Sequence, residues 1–128
     1  MKYLVLAGRI LYSFIFIMAA PDHFLPQSIA YAAAAHVPLA SFAVPFSGII
    51  ALLGGLSIAL GYKAKLGAWL LVLFLVPVTI MMHNFWAEPD KMMAHMQMAM
   101  FIKNISLLGA ALIISYFGSG PLSLDARK

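Results

Sequence analysis

Four stretches of this chain are each long and apolar enough to cross a bilayer, and that settles what surrounds most of its surface. A helix needs about 20 apolar residues to span the hydrocarbon core. The candidate spans cover residues 3–20, 42–60, 66–82 and 96–117. Of the 128 residues, 64% are hydrophobic and only 9% charged, against about 25% charged in an ordinary soluble domain. A soluble domain of this length has too little interior to hide that much apolar side chain. The expectation is an all-α integral membrane four-helix bundle forming one domain over residues 1–128.

The breaks between spans carry their own signals. Pro21-Asp22 ends the first span, Gly61 the second, and Gly118-Ser119-Gly120-Pro121 the fourth. Pro45 lies near the start of the second span, where a missing donor costs little, while Pro77 is expected to kink the third. The long first connection, residues 21–41, contains an Ala-rich stretch from Gln27 to His36 with Tyr31. It is too short to span and reads as a short interfacial helix. The tight turn from Tyr62 to Lys65 makes spans two and three antiparallel neighbours. Lys2 and the apolar run after it loosely resemble a signal peptide. Arg9 in the middle of that run argues instead for a retained first span.

Charge then sets the orientation. Lys2, Lys63, Lys65, Arg127 and Lys128 share one side of a four-span arrangement, and the loops of the other side hold only Lys91. The positive-inside rule places both termini in the cytoplasm. All four histidines, His23, His36, His83 and His95, fall on the outer side with Asp22, Glu88 and Asp90. The net charge of +4 is dispersed beside apolar runs, which fits anionic lipid and topology rather than nucleic acid. The absence of cysteine excludes disulfides, thiolate catalysis and thiolate-bound metal clusters.

Polar groups inside such helices are expensive and are functional candidates by default. Gln97, Phe101, Asn104 and Leu108 fall on one stripe of the fourth span. Gln97 and Asn104 should face the bundle, either as interhelical glue or as a site. Lys103 beside them either snorkels to headgroups or points inward to an anion, a carboxylate or a ketone oxygen. Arg9, two turns into the first span, poses the same choice at the inner side. His83 could exchange protons near neutrality, hydrogen-bond a quinone-type carbonyl, or join other histidines around a metal. No His-x-x-x-His or Glu-x-x-His pair supports the metal. The methionines from Met81 to Met100 are soft enough for copper(I) but more simply fill apolar gaps. Trp86 reads as an interfacial anchor.

Several stretches resemble the DoxX family. They are His83-Asn84-Phe85-Trp86, Asp90, Gln97 and Phe101-Ile102-Lys103-Asn104 with Gly109, and Gly8-Arg9-Ile10-Leu11 in the first span. Tyr31-Ala32-Ala33 with Val37-Pro38, and Pro45-Phe46-Ser47-Gly48 leading to Leu53-Gly54-Gly55, match its middle part. Pro21-Asp22-His23 departs from the Gly- and Lys-containing turn the family often has there. The resemblance implies a small four-helix inner-membrane protein associated with a quinol oxidase or a thiosulfate:quinone oxidoreductase.

The ligand-binding candidates are therefore His83, Asn84, Trp86, Asp90, Gln97, Lys103, Asn104 and Arg9, with no catalytic residue and no metal ligand assigned. The leading expectation is a subunit of a membrane redox system, holding a quinone-like ligand near the outer surface beside redox partner subunits. No haem pair, flavin fingerprint or redox thiol is evident, so electrons would come from a bound cofactor, a partner or the quinone. The alternatives are a non-enzymatic scaffold or assembly partner, and a small-anion or lipid binding or transport protein. Transport through four spans would require a homo-oligomer.

Overall fold

In the computed structural model, residues 1–127 are described. Lys128, grouped above with the cytoplasmic basic residues, lies outside the described residues. The helices are α1 (Lys2–Ala19), α2 (Pro26–Ala34), α3 (Ala40–Leu60), α4 (Ala64–Met82) and α5 (Lys91–Phe117). Short 3-10 turns at Ala20–Phe24 and Phe85–Ala87 follow α1 and α4. No strand occurs among the described residues. Four helices are long and apolar enough to cross a membrane, and α2 is the short helix between the first two.

Two boundaries differ from the sequence reading in an informative way. The last helix begins at Lys91, before the apolar run, because Asp90 caps it by accepting a hydrogen bond from the Met92 amide at 3.2 Å. The second span begins at Ala40, so Pro45 sits inside α3 rather than near its first turn. Pro77 also sits inside an unbroken helix.

The helices pack in the order α1, α3, α4, α5, with α2 and the first 3-10 turn laid against α3. Lipid is no worse a solvent for Leu than another helix is, so close packing of small residues must hold such a bundle. The α3–α4 contact shows how. A methyl group on Gly54 would meet Leu71 Cδ2 at 2.8 Å and the Gly67 carbonyl oxygen at 3.0 Å. One on Gly67 would in turn meet Ser57 and, at 3.2 Å, the Gly54 carbonyl oxygen. Gly55 does the same for α1, whose Phe16 and Ser13 backbone lie against it. Ile58, Ala64, Ala68, Leu71 and Leu75 complete the core.

The chain ends meet at one end of the bundle, and the tail after α5 fastens them there. Arg9 is buried, and its guanidinium donates to the carbonyl oxygens of Ser119 at 2.6 Å, Pro121 at 2.8 Å and Leu122 at 2.6 Å. The tail amides of Leu124 and Asp125 donate to the carbonyls of Leu60 and Gly61 at 3.1 and 2.7 Å. The Asp125 carboxylate accepts from the backbone amides of Lys63 and Ala64, at 2.7 and 3.1 Å, and from the Ser119 hydroxyl at 2.6 Å. Lys63 has a left-handed φ of 50° and offers no side-chain cap of its own. The cap for α4 therefore arrives from the far end of the chain. Arg9 Nε and Ser13 Oγ, one turn apart on α1, are buried with no hydrogen-bond partner.

Candidate functional site

At the opposite end the bundle does not close. A cleft of about 940 Å³ opens there, and all five helices contribute to its wall. It forms because α1 does not pack along α5. The two are joined by the Tyr12 hydroxyl, which donates to the Leu107 carbonyl at 2.7 Å, and above that point they part. The short α2 and the first half of α3 form one side, and the second half of α4 with the middle of α5 forms the other. The lining is mainly aliphatic and aromatic, with Phe16, Phe46, Ile50, Leu73, Phe74 and Val78 among it. Pro77 has no N–H to give the Leu73 carbonyl, so that wall also carries a backbone acceptor without its helical donor.

Several polar side chains interrupt this lining. His83, Lys103 and Asn104 line the cleft, as do Asp22, His23 and Tyr31. Gln97 ties three elements together above it. Its carbonyl oxygen lies 2.7 Å from His83 Nδ1, and its amide nitrogen donates to the Tyr31 hydroxyl at 2.9 Å. That bridge links α5 to the end of α4 and to α2. If the Gln97 oxygen accepts, His83 carries its proton on Nδ1 and leaves Nε2 as the acceptor. His23 is held separately, with Nδ1 3.0 Å from the Ala19 carbonyl oxygen and its ring edge-on to Phe74.

Asn104 and Lys103 differ sharply although adjacent. Asn104 is 5% exposed. Its side-chain amide makes no hydrogen bond within the protein, and it lines the cleft. Lys103 is exposed, and its ammonium has only the Met100 sulfur, at 3.5 Å, as a partner. Lys103 is thus both exposed and part of the cleft lining.

The remaining sequence candidates lie elsewhere. Asp90 is the cap of α5. Trp86 is exposed and stands edge-on to Phe85 and Phe101. Asn84 precedes the 3-10 turn and lends no side-chain cap to it. Arg9 is at the other end of the bundle, engaged with the tail. Among the described residues, no group of three His, Asp or Glu side chains is placed to share a metal ion.

Two participants went unselected in the sequence. Tyr31 was one residue of an Ala-rich stretch, yet it anchors Gln97. Asp125 is the sole acid near the terminal end, and that isolation among Lys63, Lys65 and Arg127 was its signal.

Comparison with known proteins replaces the family expectation. The ER-derived vesicles protein ERV29 of Saccharomyces cerevisiae is 29% identical over 83 residues, covering 65% of this chain and 26% of that protein. The matched region is thus about a quarter of the relative's length. No solved structure matches the chain. The match to a protein of ER-derived vesicles leaves the redox subunit, its quinone-like ligand and its redox partners without support. The polar spacing that suggested them has structural reasons here: Asp90 starts α5, Gln97 bridges three elements, and Phe101 packs on Phe85 and Trp86. The sequence profile of the SURF4 family matches residues 1–128 from end to end, so the chain belongs to the SURF4 family and not to DoxX.

Proposed function

We propose that this protein is a non-enzymatic, multi-pass membrane component that binds and holds an apolar partner in the cleft between α2, α3, α4 and α5. The observation that carries the reading is the cleft itself. It is large and mainly apolar, with a small number of polar side chains in its lining, the usual construction of a binding site. The polar groups around it serve position more than reaction. Gln97 is occupied with His83 and Tyr31, and His23 with the α1 backbone.

The small-anion transport reading loses its inner half. Arg9 would have been the receiving cation, but its terminal nitrogens are committed to three tail carbonyls. We place the terminal end of the bundle in the cytosol by the charge of Lys2, Lys63, Lys65 and Arg127. The cleft then opens near the opposite membrane face. The expectation of a cell inner membrane came with the DoxX resemblance. The name of the yeast relative favours instead a membrane from which ER-derived vesicles form.

Native mass spectrometry of protein extracted from its own membrane tests this reading. The wild type should retain a bound species that Ala43→Phe, which fills the cleft, removes without lowering the melting temperature. Identical bound species in both proteins would overturn it.

A further inference from the structure

The cleft specifies more than an apolar occupant. Asn104 is more than nine-tenths buried, lines the cleft, and makes no side-chain hydrogen bond within the protein. An amide that meets only hydrocarbon is poorly satisfied, so the site favours a ligand atom that pairs with it. The preceding residue, Lys103, adds a basic side chain to the lining, in no ion pair among the described residues and engaged only by the weak acceptor Met100 Sδ at 3.5 Å. An ammonium and an amide N–H carried by adjacent residues of one helix suit an oxyanion. The rest of the wall is largely hydrocarbon, with Phe46, Ile50, Leu73, Phe74 and Val78.

We propose that the cleft binds a single-chain anionic amphiphile, with its oxyanion on Lys103 and Asn104 and its tail along the apolar wall. The proposal rests on reading the cleft as a binding site and names what fills it. The size agrees. A volume of about 940 Å³ is near the upper end of the roughly 300–1,000 Å³ of small-molecule pockets, enough for one acyl chain and its head. A polypeptide segment fits less well, because its backbone N–H and C=O groups would lie against a wall that cannot pair them. Asp22 is the one carboxylate on the lining. It forms no ion pair with Lys103, and it disfavours an anion that lodges on its side.

The same chemistry is offered by a long-chain carboxylate and by a lysophospholipid with a terminal phosphate, and competition separates them. The protein is placed in nanodiscs of uncharged and zwitterionic lipid, with an anthroyloxy-labelled stearate as the probe. Saturable binding should be displaced by palmitate, and at least tenfold more weakly by hexadecanol, which has the same chain and no charge. Lys103→Gln should weaken palmitate by about tenfold, the loss of one charge-assisted hydrogen bond. Lys103→Arg should restore most of it. Asn104→Leu should weaken it several-fold, and Asp22→Asn should leave it equal or tighter. Stronger displacement by lysophosphatidic acid than by palmitate identifies the phosphate-headed source within the proposal. Equal displacement by palmitate and hexadecanol, or no effect of Lys103→Gln, overturns the anion assignment while leaving the cleft as a site. The absence of any saturable probe binding sensitive to Ala43→Phe overturns both.

Discussion

Arg9 and Ser119 lie 110 residues apart in sequence, and the guanidinium of the first donates to the backbone carbonyl of the second at 2.6 Å. A cation that would be a liability in the first span thus becomes the clasp for the chain end. It satisfies carbonyls just beyond α5 that would otherwise lack donors. Charge complementarity continues one step further, since Asp125 of the same tail caps α4.

Arg9→Leu should cost about 2–3 kcal/mol, because several charge-assisted hydrogen bonds vanish and the tail carbonyls lose their donors. Hydrogen exchange at the Leu124 and Asp125 amides should accelerate at the same time. Arg9→Lys should recover only part of the stability, since one ammonium cannot reproduce the fork of a guanidinium. Unchanged exchange in Arg9→Leu would show that the tail holds itself.

Asp125→Ala should cost about 1–2 kcal/mol, the usual loss for a helix N-cap. The effect should be local, with faster exchange at the Lys63 and Ala64 amides and an intact far end of the bundle. Asp125→Asn keeps an acceptor oxygen and should retain about half of the stability. Equal losses in both variants would argue against a capping role.

Gln97→Leu should weaken the junction of α2, α4 and α5 by only about 1 kcal/mol, because interhelical hydrogen bonds in membranes average about 0.6 kcal/mol each. Combined with Tyr31→Phe it should be less than additive, since both remove the same 2.9 Å bond. Full additivity in thermal denaturation would show that the bond is not formed.

Gly67→Ala should destabilise by about 1–3 kcal/mol through overpacking against Ser57 and the α3 backbone. Gly109→Ala is the control. A methyl group there meets nothing within 4 Å, so its melting temperature should stay level or rise with the better helix propensity. A larger loss at Gly109 than at Gly67 would contradict the packing order described here.

The contrast between Gln97 and Asn104 shows what could be read early and what could not. Their spacing placed both on one helical stripe, and the expectation that they face the bundle holds for each. Yet Gln97 found Tyr31 across 66 residues, and Asn104 found no protein partner. Periodicity states which side of a helix a residue occupies, and it is blind to what stands opposite. The DoxX resemblance erred for a related reason. A few polar residues at fixed spacing are also what a capped, bridged pair of membrane helices requires, so their pattern carries less family information than the chain as a whole.

The apolar runs by themselves determined four spans, a short helix between the first two, and both chain ends at one end of the bundle. These follow from local facts: hydrophobic length, Gly and Pro breaks, and the parity of the crossings. Tertiary structure decided the fate of each polar group. It sent Arg9 to the tail carbonyls, gave Asp125 to the start of α4, and left Asn104 facing a cleft that exists because α1 and α5 diverge. Those outcomes depend on partners some 60 to 113 residues away, and a hydrogen bond between such residues is set by how the helices pack.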